Sequence, residues 1–160
     1  MLLGIDPGIN IIGFAFVEGT LSNPVIIDYG VITTDKRADG EQERRIAEII
    51  SDLDILIQKY QPTFAIVEDL FFFKNAKTVI DVAQSRGAIV AHLAKNNIQV
   101  KNITPLQVKK SICNYGRADK KQIQTMVKKL YKIDKINGPD DAADALAIAM
   151  CGLMDVRFKS

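Results

Sequence analysis

The chain begins MLLGIDPGINIIGFAFV (Met1–Val17), and two apolar runs in this segment are separated by Asp-Pro-Gly. Leu2–Asp6 is typical of a short buried strand, because apolar residues run continuously up to a turn-forming sequence. Ile9–Val17 continues as a second strand, and the break at Pro7-Gly8 fits an antiparallel hairpin. The segment therefore predicts a hairpin that delivers the carboxylate of Asp6 to the end of a buried strand.

The remainder of the chain alternates strands with helices. Further strands are predicted over Val25–Thr34, Phe64–Val67 and Ile98–Ile103, and helices over Gly40–Tyr60, Ala76–Asn96, Pro105–Cys113, Asp119–Lys132 and Pro139–Leu153. No repeat and no long linker divides these elements. The order β-β-β-α-β-α-β-α-α-α predicts an α/β fold, in which a five-stranded mixed sheet carries helices on both faces. Residues 1–160 are expected to form a single domain.

Composition excludes several classes of protein. Of 160 residues, 48% are hydrophobic and 25% are charged, which is too apolar for a disordered chain. No apolar run approaches the roughly 20 residues that span a bilayer, and the N-terminus lacks the basic region of a secretion signal. Two cysteines and one histidine are too few for a disulfide framework or a typical zinc cluster. We expect a soluble, cytoplasmic protein that is not bound to a membrane.

Acidic residues follow two of the predicted strands and begin the last helix. Asp6 ends the first strand and Glu68 follows the fourth, so neighbouring positions in the sheet would bring both carboxylates to one edge. Asp141 and Asp144 share a helix face, because they are three residues apart. Clustered carboxylates repel unless a cation lies between them, and oxygen ligands favour Mg²⁺ or Mn²⁺. Two such ions about 4 Å apart are a known arrangement for phosphodiester hydrolysis.

Taken singly, these acids also fit ordinary structural roles. An acid at a strand end often forms a turn or caps a helix. Asp141 lies near a helix N-terminus, where a negative charge complements the helix dipole, and Asp140 is assigned to that role. The interpretation as a metal site depends on the convergence of all the acids.

Positive charge is concentrated between the fifth strand and the last helix. The cations there are Lys109, Lys110, Arg117, Lys120, Lys121, Lys128, Lys129, Lys132 and Lys135, against the two acids Asp119 and Asp134. Such local density on a chain of net charge +2 is what a phosphate-binding surface requires. A solvated helix face is the alternative for Lys128–Lys132. Lys109 and Lys120 flank a glycine loop that could fold toward the acids.

The predicted helix Ala76–Asn96 has a wide apolar surface. Its apolar and small residues cover an arc of about 200°, whereas a single core-facing stripe needs only about half of that. The excess indicates a second buried face, against either a twin subunit or more of the same chain.

Several sequence blocks resemble one known family. They are GIDPG (Gly4–Gly8), IVEDLFFFKNAKT (Ile66–Thr78), QSRGA (Gln84–Ala88), TPLQVKK (Thr104–Lys110), GRADKKQIQTMV (Gly116–Val127) and DAADALAIA (Asp141–Ala149). In this order and over nearly the whole chain, they resemble the RuvC family of bacterial Holliday-junction resolvases, which belongs to the RNase H-like nuclease superfamily. Asp69 departs from the family pattern, where an amide or similar polar residue can follow the glutamate.

The resemblance implies a homodimeric endonuclease of recombination and repair that nicks two strands of like polarity in a four-way DNA junction. Asp6, Glu68, Asp141 and Asp144 match the catalytic acids, which would hold two Mg²⁺ per subunit, with Mn²⁺ as a substitute. Lys109 and Lys120 match basic residues near the cleaved strand, and Phe71 matches an aromatic residue that stacks on junction bases. Arg117 and Lys121 are further DNA-binding candidates from the cationic segment, and the RuvA–RuvB branch-migration complex is a candidate partner.

Three other interpretations remain open from the sequence. GIDPG also begins actin-like ATPases and sugar kinases, although this chain has residues for only one of their two lobes. A catalytically inert junction-binding protein is a second alternative, against which the presence of all four acids argues. A related nuclease that acts on RNA or simple duplex is the third, because a fold does not fix the substrate.

Overall fold

The structure, a computed structural model, describes residues 1–34, 42–70 and 76–155, and within these ranges the backbone forms one five-stranded sheet. Its strands are β1 (Leu2–Asp6), β2 (Ile11–Thr20), β3 (Asn23–Thr33), β4 (Phe64–Glu68) and β5 (Gln99–Ile103), in the spatial order β3-β2-β1-β4-β5. The first three strands pair antiparallel, whereas β1 pairs parallel to β4 and β4 parallel to β5. The predicted mixed sheet is confirmed.

Helices cover both faces of this sheet. They are α1 (Gln42–Tyr60), α2 (Ala76–Lys95), α3 (Pro105–Cys113), α4 (Lys120–Tyr131) and α5 (Asp140–Met154). One buried apolar layer joins the sheet to α1 and α2, and a second joins it to α3, α4 and α5. Within the described ranges, none of the helices combines the length and the apolar character needed to cross a bilayer.

The β2–β3 hairpin is longer than the sequence predicts. Gly19 and Pro24 suggest an early break, but the ladder continues to the pair Thr20 and Asn23. Gly19 has a φ of 89°, a left-handed conformation that glycine adopts without strain. Pro24 is tolerated because β3 lies at the edge of the sheet, where a strand needs no hydrogen-bond donor on its outer side. The strands therefore extend up to a tight turn at Leu21-Ser22.

Side chains alternate strictly between the two layers along β1. Leu3 and Ile5 belong to the layer with α1 and α2, whereas Leu2 belongs to the layer with α5. Because alternate residues point to the same face, Gly4 and Asp6 share the α5 side. The same alternation places Glu68 of β4 on that side.

Two glycines allow α5 to lie very close to the sheet. A Cβ at Gly4 would be 2.6 Å from the carbonyl oxygen of Ala145, and one at Gly13 would be 2.0 Å from that of Asp141. Both obstacles are helix backbone, which no change of rotamer moves. On the α5 side of the contact, alanines keep the surface shallow, and Ala145, Ala147 and Ala149 are fully buried.

We expect Gly13→Ala to lower the free energy of unfolding by about 1–3 kcal/mol, because the added methyl forces α5 away from β2. Urea denaturation would measure the change, with Ser51→Ala on the exposed surface of α1 as a control that leaves stability nearly unchanged. Wild-type stability for Gly13→Ala would contradict the close approach.

Candidate active site

The pairing of β1 with β4 brings two acids to one edge of the sheet. Ile5 aligns with Val67, so Asp6 and Glu68 are the next residues of neighbouring parallel strands. Both side chains are partly buried and lie on the α5 side. The sequence alone leaves open whether the first and fourth strands are neighbours, and the structure shows that they are.

The first turns of α5 bring two more acids to the same place. Asp141 lies where the helix backbone touches Gly13, and both Asp141 and Asp144 act electrostatically on the carboxylate of Asp6. The carboxylate of Asp144 also acts on that of Glu68. The four predicted acids therefore form one electrostatically coupled group, which we call the acid cluster (Asp6, Glu68, Asp141 and Asp144).

Two of these carboxyl groups are held in a state that favours protonation. Burial, together with Asp144 and Asp141, raises the pKa of Asp6 to about 7, while Lys120 opposes the shift. Burial, together with Asp6 and Asp144, raises the pKa of Glu68 to about 8, and Lys109 and Lys120 oppose that shift. Burial likewise raises the pKa of Asp144 against the opposing effect of Lys120. Full ionisation of the cluster is therefore disfavoured, chiefly by burial and further by the neighbouring carboxylates.

A lysine from α4 contacts the cluster directly. The Nζ of Lys120 lies 3.2 Å from the Oδ2 of Asp144 and 3.4 Å from the Oδ2 of Asp140. Lys120 is the first residue of α4, and a capping box between Asp119 and Gln122 fixes where that helix begins. The cap thereby determines where the ammonium group enters the site.

Lys109 of α3 lines the same site, which is a cavity of about 290 Å³. Its lining consists of the charged residues Glu68, Lys109, Lys120 and Asp144 and the apolar or small residues Pro105, Val108, Ile123 and Ala147. The α3 helix begins with its own capping box, formed by Thr104 and Gln107. Acids and cations therefore line one cavity, an arrangement that suits an anionic ligand bound with the help of cations.

The other predicted DNA-binding residues lie elsewhere. Arg117 is exposed in the loop between α3 and α4, and Lys121 lines a separate cavity of about 380 Å³ beside Tyr115. The structure does not bring these residues into the cavity of the acid cluster. Phe71 lies outside the described residues.

Two acids near the site have contacts that the sequence analysis did not anticipate. Asp140 lies at the helix N-terminus, as the dipole role requires, and its Oδ1 also accepts a hydrogen bond of 3.0 Å from the Nε2 of Gln124, beside its contact with Lys120. The spacing of Asp140 and Asp144, one helical turn apart, is the signal that could have revealed a shared partner. Asp69 accepts a hydrogen bond from the backbone nitrogen of Leu70 and pairs with Arg86 at 3.2 Å.

The donor chemistry of the acid cluster fits a hard divalent cation. All four side chains offer only carboxylate oxygens, the ligands that Mg²⁺ and Mn²⁺ prefer, and their mutual repulsion falls when a cation binds. Across residues 1–34, 42–70 and 76–155, no three His, Cys, Asp or Glu side chains stand in an arrangement that could hold an ion as they are. In this structure the Lys120 ammonium contacts the cluster, so ion binding requires adjustment of these side chains.

The fold and the site together define an RNase H-like nuclease, in which a mixed five-stranded sheet and a helix bring acids to one edge. A family model described as "Crossover junction endodeoxyribonuclease RuvC" matches residues 2–152. The chain therefore belongs to the RuvC family, whose members are divalent-metal-dependent nucleases. This membership decides against the actin-like or kinase-like interpretation.

Individual relatives agree with the family match. The crossover junction endodeoxyribonuclease RuvC of Fusobacterium nucleatum is 48% identical over 149 residues, which cover 93% of this chain and 77% of the relative. That of Caldicellulosiruptor saccharolyticus is 44% identical, covering 96% of this chain and 92% of the relative. The structure of T. thermophilus RuvC in complex with Holliday junction substrate superimposes with a TM-score of 0.85 at 23% identity, covering 98% and 95% of the two chains.

The raised pKa values of Asp6 and Glu68 predict how stability depends on pH without divalent ions. The folded chain binds more protons than the unfolded chain between about pH 4 and pH 8, so the free energy of unfolding falls as the pH rises through this range. Asp6→Asn removes one of the repelling charges. We expect it to raise the free energy of unfolding by about 1–3 kcal/mol near pH 8, and by less near pH 5.

Urea denaturation in the presence of a chelator, at both pH values, measures this difference. Asp52→Asn makes the same chemical change at an exposed position of α1 and serves as the control. A pH-independent effect of Asp6→Asn would be inconsistent with the electrostatic origin of the pKa shift.

Proposed function

We propose that this chain resolves Holliday junctions, as a Mg²⁺-dependent endonuclease that makes paired symmetric nicks in strands of like polarity during homologous recombination and DNA repair. The observation that carries the proposal is the acid cluster beside Lys109 and Lys120 in one cavity. The structure of T. thermophilus RuvC, which was determined in complex with a Holliday junction substrate, supports the choice of substrate.

Asp6, Glu68, Asp141 and Asp144 would hold two Mg²⁺ per protomer, with Mn²⁺ as a substitute. When bound, such ions activate the attacking water and stabilise the leaving oxygen of a phosphodiester. The acids are anchored on three elements of a packed core, so their backbone positions are set before any ion or DNA arrives.

Lys109 and Lys120 supply positive charge to the cavity from two helices, α3 and α4. A scissile phosphate in this cavity would gain negative charge in the transition state, which the two ammonium groups stabilise. Lys120 contacts Asp144 at 3.2 Å in the present structure, so it exchanges a carboxylate partner for phosphate when DNA binds. This exchange limits the desolvation penalty of the ammonium group.

Residues outside the cavity would contact the junction arms. Arg117 and Lys121 are exposed next to the cavity-bearing helices, where they are available to DNA phosphates. For Phe71 we propose stacking on a junction base, on the strength of the family resemblance.

Two protomers would place two such sites on one junction, and we propose that they pair through α2. Ala83, Gly87 and Ala91 lie one helical turn apart and are exposed, and Ile80 on this helix is 58% exposed. Among the residues that the structure describes, a Cβ at Gly87 would meet nothing within 4 Å, although helical glycine costs about 1 kcal/mol relative to alanine. Packing against these residues does not explain the glycine, whereas at a helix–helix contact it would permit close approach.

The chain would act as a single nuclease domain over residues 1–160. We also propose that the RuvA–RuvB branch-migration complex is a partner, on the strength of family membership alone.

Incubation of a labelled synthetic four-way junction with the protein and Mg²⁺ tests the activity. We expect paired nicks with ligatable ends, no cutting of a linear duplex, and no activity without a divalent ion. Glu68→Gln and Asp144→Asn should lower the cleavage rate by at least about 10³-fold while junction binding persists, since removal of an acid that holds the ions removes the chemistry supplied by the ions.

Asp52→Asn again serves as the matched control, with cleavage at the wild-type rate. If the protein cuts linear duplex or RNA as fast as the junction, its activity is that of a broader nuclease and not of a junction resolvase. Junction binding by wild-type protein without cleavage would identify an inert binding protein.

Gly87→Gln should convert the dimer to a folded monomer, because a long side chain blocks close helix contact while fitting the open space of one protomer. Analytical ultracentrifugation at micromolar concentration measures the change, and paired nicking should be lost with it. Ala47→Gln on the exposed surface of α1 is the matched control. Monomeric wild-type protein would refute the pairing.

A further inference from the structure

Helix α2 reaches the acid-bearing segments from the face of the sheet opposite α5. Two consecutive side chains of this helix bind backbone carbonyls beside the acids. The Oγ of Ser85 donates a hydrogen bond of 2.7 Å to the carbonyl oxygen of Gly8, and the Nε of Arg86 donates one of 2.9 Å to the carbonyl oxygen of Glu68. Neither contact belongs to the cavity described above.

Arg86 joins the ends of two neighbouring strands. Besides the Glu68 carbonyl, its Nη2 donates a hydrogen bond of 2.7 Å to the Oδ1 of Asn102 in β5 and lies 3.2 Å from the Oδ1 of Asp69. Only 16% of the side chain is exposed. The rigid, planar guanidinium group serves these acceptors together, a geometry that a lysine ammonium group does not reproduce.

Ser85 fastens the loop that follows Asp6. Its side chain is 1% exposed, and the Gly8 carbonyl that it binds lies two residues after the acid. The neighbouring residue of the loop is held as well, since the Oγ1 of Thr34 donates a hydrogen bond of 2.9 Å to the carbonyl oxygen of Ile9. Removal of a buried hydroxyl donor leaves its carbonyl partner unsatisfied and free to shift.

These contacts act on position, and they leave the charge of the site unchanged. The guanidinium group of Arg86 binds the backbone carbonyl of Glu68. Lys109 and Lys120 are the cations that oppose the rise in the pKa of the Glu68 carboxyl. Carboxylates that repel one another need fixed backbones to stay within the few tenths of an ångström that catalysis tolerates. Ser85 and Arg86 provide that restraint for the two sheet-borne acids.

We propose that Ser85 and Arg86 are positioning residues, which hold the carbonyls of Gly8 and Glu68 so that the carboxylates of Asp6 and Glu68 keep the spacing needed for divalent ions. This inference rests on the proposed function, because it gives the two residues a role in that site. The role belongs to the face of α2 that packs against the sheet, and it is separate from the proposed contact of α2 with a second protomer.

The test compares Arg86→Lys and Ser85→Ala with wild type and with Lys95→Gln, which removes an exposed cation from the same helix. Single-turnover cleavage of the four-way junction is measured against Mg²⁺ concentration. Junction affinity is measured in a chelator, and the shift of Tm on addition of Mn²⁺ is measured without DNA. Arg86→Lys keeps the charge and most of the side chain, so it remains informative if Ser85→Ala does not fold.

For both variants we expect unchanged junction affinity, a cleavage rate lowered about 10- to 100-fold, a higher Mg²⁺ concentration at half-maximal rate and a smaller Mn²⁺-induced shift of Tm. Lys95→Gln should match wild type in every measurement. A wild-type rate and Mg²⁺ dependence for Arg86→Lys would overturn the proposal, because charge alone would then suffice. A lower Tm with unchanged Mg²⁺ dependence would also overturn it, since the role would be structural only.

Failure of the proposed function gives a different result. If wild-type protein does not cut the junction, the proposed activity is wrong. The Mn²⁺-induced shift of Tm still tests whether Ser85 and Arg86 are positioning residues. Equal shifts in wild type and variants would overturn the positioning role independently of cleavage.

Discussion

The close contact between α5 and the sheet is the constraint on which the site depends. Gly4 and Gly13 present no side chain to this helix, and a Cβ at either position would lie within 2.6 Å of helix backbone. The helix therefore lies closer to β1 and β2 than ordinary side chains allow. Because Asp141 and Asp144 lie on its first turns, the same contact sets the distance between these acids and those on the strands. The same two glycines therefore determine both how α5 packs on the sheet and how far apart the acids lie.

This packing imposes an electrostatic penalty that the rest of the fold must offset. Burial and neighbouring carboxylates raise the pKa values of Asp6 and Glu68 to about 7 and about 8, so their ionised forms are disfavoured. Lys120 relieves part of this penalty from the side of Asp144. The buried apolar layers on both faces of the sheet stabilise the fold against the rest of this penalty.

Sequence patterns predicted the elements and the acids because both leave local signals. Apolar runs that end in turn residues located β1 and β4, and the spacing of Asp141 and Asp144 placed them on one helix face. Which strands are neighbours left no local signal, and only the structure shows that β1 pairs parallel with β4. The extent of the β2–β3 hairpin was missed, because composition indicates where a turn is possible and pairing decides where it occurs.

The contacts of Ser85 and Arg86 left no such signal. Each binds a backbone carbonyl, 77 and 18 residues away in the sequence respectively, and a carbonyl has no residue type that a pattern could reveal. The pair lies within a block that carried the family resemblance, but resemblance alone assigns no physical role to it.

The two faces of the sheet therefore contribute differently to the site. The face with α3, α4 and α5 carries the acids of α5 and the lysines that line the cavity, so it determines charge. On the face with α2, Ser85 and Arg86 bind the backbone carbonyls of Gly8 and Glu68, and we propose that this face determines position. Helix α2 also carries the exposed small residues that we propose as the contact between protomers. Under that pairing, one helix restrains the acids on its inner side and sets the separation of two active sites on its outer side. The spacing of paired cuts and the geometry of each cut would then depend on the same rigid element.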